Sequence, residues 1–375
     1  MSERPITATQ KARFHWLDNL RTVMILLVVL YHVGGVYEAA GLWGSFWIVD
    51  DPATITWVGI VGIVFDVFVI ATVFFVSGYL APASLRGKSG ATFCGVKARR
   101  LLLPWLIAVI TLIPLYKVIF LYSRGMPQQH WTTYFHITNP NSQNWLWFLP
   151  LLFLFNLIYL AFDRAWGRLA LLSIRWAVVG AFVVALVTSY GIGGLAGFRS
   201  WTLTPLLDFE NERVLVYLMS FFLGAACYAQ DVFAIKSRRK TLYTLVGALA
   251  WIPLTGHIFV RLIPFFTASF EVTPLYRLLW WVSFHAGVVC MVYQMVETFW
   301  RYLDRTGPVW RELGRNAYGV YIVHVIVLGV FGTLLLGVGI PAVAKYLLLV
   351  LLTLVVSNLL VSGYHALARS VARRT

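Results

Sequence analysis

Three ionisable side chains, Asp18, Arg21 and His32, lie in the first long apolar stretch of the chain. Residues three apart in a helix are neighbours, so Asp18 and Arg21 are predicted to form an ion pair. His32 follows Arg21 by eleven residues, close to a whole number of turns, which places both on one face about 16 Å apart along the axis. Because an ionisable side chain is costly inside a bilayer, this stripe predicts a functional site that runs from the membrane edge towards its centre.

His32 and Arg21 differ in the chemistry that they can perform. An imidazole in a protein-lined cavity can act as a general base near neutral pH, or as a nucleophile that carries an acyl group. The guanidinium of Arg21 can bind an anionic or carbonyl-bearing part of a ligand. The simpler interpretation is that Arg21 reaches the headgroups and His32 hydrogen-bonds a neighbouring helix. Their position on one face favours the functional interpretation.

Two carboxylates are candidates for contact with His32. Asp66, in the outer half of the second apolar stretch, is expected at the depth of His32, where it would hold the imidazole in one tautomer. The alternative for Asp66 is a solvated carboxylate near the outer interface. Glu38 follows His32 by six residues and lies off the His32 face, so it is a weaker candidate for contact with His32. It is instead a candidate for contact with the substrate.

Basic residues follow the second apolar stretch and precede the ninth. Lys97 and Arg100 are three residues apart and are predicted to face together at a helix start, where the helix dipole also favours anions. With Arg99, and with Arg315 at the start of the ninth stretch, they are candidates for binding a phosphorylated donor. The alternative is ordinary loop charge on the cytoplasmic side.

Aromatic and imidazole side chains in the fourth and ninth stretches are candidates for substrate contact. They are Trp147, Tyr321 and His324. Hydrogen bonds that pack one helix on another are the alternative for the last two. Tryptophans in the outer loops, including Trp201, predict an interfacial belt, and the alternative is a sugar-binding mouth.

Composition defines the class of protein that must position these residues. Of 375 residues, 60% are apolar and only 12% are charged, and the mean hydropathy is +0.77. A soluble protein carries about twice that charged fraction and needs it to cover its surface. The chain is therefore predicted to be an all-α polytopic membrane protein, with a single integral-membrane domain over residues 1–375 and a short cytoplasmic tail over residues 1–16.

A bilayer core of about 30 Å requires about 20 apolar residues per helix. This length predicts ten spans, at 17–37, 55–80, 101–121, 145–163, 176–197, 213–229, 241–261, 277–300, 316–337 and 341–366. Most of the 30 Lys and Arg fall in alternate loops, which predicts that both termini are cytoplasmic. The net charge of +15 is thereby explained by topology and anionic lipid, so no nucleic-acid partner is expected.

Several sequence blocks in this order resemble the acyltransferase-3 family of membrane-bound O-acyltransferases. The blocks are Leu17-Asp18-Asn19-Leu20-Arg21 followed by His32, residues 74–79, residues 97–104, residues 146–149 and residues 318–324. Within the family, the chain is most similar to the branch of the periplasmic-glucan succinyltransferase, the glucans biosynthesis protein C. Two departures are Lys97, where the family usually has arginine, and Trp145, where many members have histidine.

The resemblance implies a multi-pass enzyme of the bacterial inner (cytoplasmic) membrane. It would move an acetyl or succinyl group from cytoplasmic acyl-CoA to a hydroxyl of an extracytoplasmic glycan or another polyhydroxylated acceptor. In this scheme His32, Asp66 and Arg21 serve catalysis, Lys97, Arg99, Arg100 and Arg315 bind the nucleotide phosphates of acyl-CoA, and no metal takes part. Two alternatives are a proton-coupled transporter, although no paired broken helices are evident, and a non-catalytic component of a polysaccharide assembly complex.

Overall fold

A computed structural model describes residues 15–39, 41–42, 47–135, 143–169, 173–234, 240–267 and 269–372. These residues form eleven α-helices and one β-hairpin. In chain order they are α1 (His15–Val36), α2 (Thr56–Leu85), α3 (Gly90–Ser123), α4 (Phe148–Leu169), α5 (Ile174–Leu195), β1 (Trp201–Leu203), β2 (Asp208–Glu210), α6 (Val214–Ala229), α7 (Thr241–Leu249), α8 (Trp251–Phe266), α9 (Pro274–Tyr302), α10 (Pro308–Leu335) and α11 (Ala342–Ala372). Two 3₁₀ helices, Trp131–Phe135 and Asn144–Trp147, precede α4.

The predicted all-α membrane architecture is confirmed. Within the described ranges, nine helical segments are long and apolar enough to cross a bilayer, α7 and α8 counting as one 26-residue segment. The two helices run on through Ala250, whose backbone is itself helical. The remaining predicted span corresponds to α6, which has only 16 residues. The predicted tail falls mostly on residues 1–14, which lie outside the described part of the chain.

The start of α3 differs from the prediction. Hydropathy places the span at 101–121, but the helix begins at Gly90, where the Ser89 hydroxyl caps it by accepting from the Thr92 backbone N–H at 3.2 Å. Lys97 and Arg100 therefore lie in the second and third turns. The predicted position of Lys97 and Arg100 at a helix start is therefore wrong, and the helix dipole, which acts only within the first turn, does not favour an anion there.

Close contact between α2 and α6 forms the centre of the bundle. A Cβ added at Gly78 would overlap the backbone of Phe221, and one added at Gly224 would overlap the backbone of Phe75. In lipid, helices gain little from the hydrophobic effect and associate by close packing of this kind. The aromatic rings of Phe74, Phe155 and Phe221 fill the space beside the contact.

The two ends of α1 define two sides of the bundle, here named the Arg21 side and the His32 side. At the Arg21 side, the Asn19 side chain donates to the carbonyls of Leu303 and Arg305, which join α9 to α10. At the His32 side, the Arg124 guanidinium donates to the carbonyl of Trp47 at 2.9 Å. The assignment of the Arg21 side to the cytoplasm stays a prediction from loop charge.

Candidate active site

A cavity of about 470 Å³ lies at the His32 side. Its wall is built by α1, α2, α6, α8, α10, the second 3₁₀ helix and the β-hairpin. The lining residues combine aromatic rings with paired charges: Val28, Tyr31, His32, Trp47, Phe65, Asp66, Val69, Ile70, Asn144, Trp145, Trp147, Phe148, Arg199, Trp201, Leu203, Asp208, Glu210, Arg213, Tyr217, Arg261 and Tyr321. The predicted residues His32, Asp66, Trp147 and Tyr321 are thus brought together.

The imidazole of His32 is held in one tautomer by the backbone of its own helix. Nδ1 lies 2.8 Å from the carbonyl oxygen of Val28. A carbonyl only accepts hydrogen bonds, so Nδ1 carries the proton and the neutral ring has its lone pair on Nε2. The lone pair therefore belongs to a ring that lines the cavity.

Trp47 packs against α1 beside His32. The ring centroids of Trp47 and His32 are 5.7 Å apart in an edge-to-face arrangement. This approach requires glycine at position 35, since a Cβ there would overlap the indole ring. The loop after α1 therefore returns to form one wall of the cavity.

A second imidazole lies behind the first. The rings of His32 and His324 are 4.9 Å apart, and His324 is fully buried. Nδ1 of His324 lies 2.7 Å from the carbonyl of Tyr321, and no described residue hydrogen-bonds its Nε2. His324 is not among the cavity-lining residues, so its contact with substrate stays a prediction. Tyr321 lines the cavity and donates its hydroxyl to the carbonyl of Trp145.

Asp66 binds two arginines. Its Oδ1 and Oδ2 accept from Nη1 and Nη2 of Arg213 at 2.7 and 2.9 Å, and Oδ2 also accepts from Arg261 at 3.0 Å. The sequence interpretation made Asp66 the partner that fixes the His32 tautomer. That role is corrected, because Val28 accepts the Nδ1 proton and the Asp66 carboxylate is occupied by guanidinium groups.

The charge cluster extends to the hairpin. Nε of Arg213 lies 3.1 Å from Oε2 of Glu210, and Nε of Arg199 lies 3.3 Å from Oε1 of the same residue. Among these paired groups, three guanidinium groups face two carboxylates. Buried ion pairs persist only when their geometry is good and further hydrogen bonds satisfy them. The bidentate pair between Arg213 and Asp66 meets that condition and makes the wall rigid.

Glu38 and Arg21 lie away from the cavity wall. Glu38 lies two residues beyond the end of α1 and forms an isolated bridge with Ile55. The predicted ion pair between Asp18 and Arg21 is confirmed, at 3.4 Å. Arg21 also donates to the carbonyl of Gly314 at 3.3 Å and is 39% exposed.

The other basic candidates are also on the Arg21 side. Arg99, Arg100 and Arg315 are exposed, and the half-buried Lys97 ammonium lies 5.2 Å from the Phe93 ring centre. Their binding of a donor stays a prediction.

Sequence reasoning missed the arginines and the hairpin carboxylates of the cavity. Arg261 is a charged residue at the end of the predicted span 241–261, where an ionisable side chain indicates a functional position. The segment Asp208-Phe-Glu-Asn-Glu-Arg213 holds three of the 15 acidic residues of the chain within five positions. Because charged residues are rare in this chain, this local density of acidic residues indicates a functional site.

Comparison with known families identifies the family of the chain. The acyltransferase-3 model, described as an acyltransferase domain, matches residues 14–362. The chain belongs to this acyltransferase family. It is therefore a multi-pass membrane enzyme that transfers acyl groups other than amino-acyl groups. No curated protein matches the chain, so the glucan succinyltransferase branch stays a prediction from resemblance.

Proposed function

We propose that the protein transfers an acetyl or succinyl group from acyl-CoA to a hydroxyl of a glycan, with His32 as the general base. The donor would enter from the Arg21 side and the acceptor from the His32 side, in the inner membrane of a bacterium. The observation that carries the proposal is the His32 imidazole, which faces the cavity with its Nε2 lone pair free of the helix backbone.

The proposed step uses that lone pair directly. Nε2 takes the proton of the acceptor hydroxyl as the hydroxyl oxygen attacks the thioester carbonyl. The tetrahedral intermediate then expels the CoA thiolate as the carbon–sulfur bond breaks, and the thiolate takes the proton from the imidazolium. The surplus of positive charge among the paired groups of the wall would stabilise the oxyanion of the intermediate.

The Arg21 side suits the donor. The rise from Arg21 to His32 is about 16 Å along α1, comparable with an extended pantetheine arm. Exposed guanidinium groups match phosphate oxygens well, and Arg99, Arg100 and Arg315 are all exposed on that side. In this proposal they bind the nucleotide phosphates together with Lys97, and Arg21 contacts the arm.

The acceptor would occupy the aromatic cavity. Rings such as those of Trp147 and Tyr217 offer flat apolar faces to the C–H groups of a sugar, and polar groups between them can bind its hydroxyls. A polyhydroxylated acceptor fits this mixture better than an apolar one, because the buried charges would stay unsolvated beside a hydrocarbon.

The transporter alternative requires a proton relay through Asp66. A carboxylate that accepts three hydrogen bonds from two guanidinium groups is poorly suited to exchange protons. Family membership argues against a non-catalytic component.

The experiment is acyl transfer by the purified protein in lipid nanodiscs. His32→Asn keeps an amide donor for the Val28 carbonyl but removes the base, so transfer should fall about 10²–10⁴-fold. His285→Asn is the matched control, since His285 is 1% exposed but lies outside the cavity. Labelled acetyl-CoA and succinyl-CoA are compared, and products are identified by mass spectrometry of envelope glycans from expressing cells.

Two results would contradict the proposal. One is a glycan fraction that gains no acyl mass in cells with the wild-type protein. The other is undiminished transfer by a His32→Asn protein that reaches wild-type membrane levels. Rapid acid quenching followed by peptide mass spectrometry distinguishes the two possible roles of His32. A nucleophilic His32 places an acyl group on its own peptide, whereas a general base does not.

A further inference from the structure

The β-hairpin presents four side chains to the cavity. In its antiparallel register Trp201 pairs with Glu210 and Leu203 pairs with Asp208. Paired residues of an antiparallel ladder project from the same face, and so do residues two apart on one strand. All four side chains line the cavity, so the hairpin forms one wall of it.

The two carboxylates on that face are in different states. Glu210 is bound by Arg199 and Arg213. Asp208 is only 4% exposed, and no described residue hydrogen-bonds its Oδ1. A buried polar group without a partner is destabilising, so a ligand that supplies the missing hydrogen bond is favoured. Burial also raises the pKa of Asp208 to about 7, so near neutral pH the carboxyl can donate as well as accept.

The hairpin holds this carboxyl in place. The Gln143 side chain donates to the carbonyls of Thr204 and Pro205 in the turn, and accepts from the Trp105 indole at 3.2 Å. The turn itself is closed by hydrogen bonds between Thr204 and Leu207. Because these hydrogen bonds fix the hairpin, the Asp208 carboxyl cannot move freely to another protein group. Its hydrogen-bond partner therefore has to come from the cavity.

Trp201 is a second hairpin side chain that is available to a ligand in the cavity. It shares the inward face with Asp208 but is 48% exposed, so its ring stands at the edge of the cavity wall. A large ring that is neither buried nor bound offers a stacking surface. A flat apolar face beside an unpaired carboxyl matches a sugar ring, which has C–H groups on its faces and hydroxyls at its edge.

We propose that Asp208 and Trp201 are the acceptor-binding residues, which take one uncharged sugar ring of the glycan. Asp208 hydrogen-bonds a hydroxyl next to the one that His32 deprotonates, and Trp201 stacks on the face of the same ring. This assignment rests on the proposed function, and it names the hairpin as the element that selects the acceptor.

The test measures acceptor and donor saturation separately. The glycan that wild-type cells acylate is purified and deacylated with mild alkali, which cleaves esters, and this glycan is the acceptor. Asp208→Asn and Trp201→Leu should each raise the KM for this glycan about tenfold or more, with a smaller change in the KM for acyl-CoA. Asp208→Glu, which keeps the carboxyl on a longer side chain, should recover part of the loss.

Matched controls are Asp50→Asn and Trp131→Leu. Both residues are exposed on the His32 side and neither lines the cavity. An unchanged glycan KM in folded Asp208→Asn and Trp201→Leu proteins would overturn the assignment. Equal rises in the KM for glycan and for acyl-CoA would also overturn it, because they indicate general damage to the site. Failure of the proposed function is distinguishable, since the wild-type cells would then yield no acylated glycan.

Discussion

The two sides of the bundle hold similar ionisable residues in different ways. On the His32 side, Asp66 accepts three hydrogen bonds from Arg213 and Arg261, whose side chains are 5% and 4% exposed. On the Arg21 side, Asp18 and Arg21 meet at 3.4 Å and are 28% and 39% exposed. In the first arrangement the buried charges are paired within the protein. The second leaves donor groups in contact with solvent.

This difference matches the division of labour in the proposed reaction. A rigid, preorganised wall is useful where the bond is made, because charge that develops there meets fixed partners. Exposed cations are sufficient to bind the phosphate groups of a donor, because such groups are bound mainly by charge.

The largest expected effect is the loss of stability when Asp66 is neutralised. Asp66→Asn removes the carboxylate that pairs with Arg261 and leaves Arg213 with Glu210 alone, which should lower the free energy of unfolding by roughly 3–5 kcal/mol. Asp18→Asn makes the same chemical change in an exposed pair and should be destabilising by about 1 kcal/mol or less. Thermal melting of both variants in nanodiscs checks the contrast. Similar losses of unfolding free energy in the two variants would contradict the difference between the His32 side and the Arg21 side.

A smaller effect is expected for Arg21. Arg21→Ala should raise the KM for acyl-CoA by about 10–100-fold, since a hydrogen bond to a charged group contributes about 1.5–3 kcal/mol. The KM for the glycan should change less, because Arg21 lies away from the acceptor cavity. Arg369→Ala, an exposed arginine in the last turn of α11, is the control for general loss of positive charge. A selective rise in the glycan KM would show that the donor and acceptor sides have been reversed.

The smallest expected effect is a pH dependence of stability from Asp208. Burial raises the pKa of Asp208 from 3.8 to about 7 in the folded protein. Between these values the folded state keeps a proton that the unfolded state releases, so stability from this group falls as pH rises from about 4 to 7. The charged groups that share its cavity are Arg199, Glu210 and Arg213, with Asp66 and Arg261 beyond them.

Asp208→Asn, which cannot ionise, should therefore lose part of this slope. The measurement compares melting temperatures at pH 5 and pH 8 for the wild type, for Asp208→Asn and for the exposed Asp50→Asn. Identical slopes in the wild type and Asp208→Asn would show that the carboxyl is solvated or paired.

The sequence predicted the features that depend on local periodicity. The stripe of Asp18, Arg21 and His32 follows from helical spacing alone, and the ion pair at its base is present. The tautomer of His32 is also fixed locally, by the carbonyl four residues earlier. The spacing of ionisable side chains does not indicate this bond, because its acceptor is a backbone carbonyl.

Features that join distant parts of the chain were not predictable in this way. Arg213 and Arg261 are 147 and 195 residues from Asp66, and no local pattern pairs them. The start of α3 was missed for another reason. Its first three turns carry the basic residues Lys97, Arg99 and Arg100, which lower the mean hydropathy, so a hydropathy scale finds only the apolar part of the helix that follows.

The shortness of α6 bears on how far an acyl group has to travel. Sixteen residues in a helix extend about 24 Å, less than the roughly 30 Å of a bilayer core. The residues from Val214 to Tyr228 are buried or half-buried against the neighbouring helices. Arg213, which directly precedes α6, lines the cavity whose floor this helix helps to form. In the proposed reaction, this short helix would thin the insulating layer between the two aqueous compartments at the point where a thioester from one meets a sugar from the other.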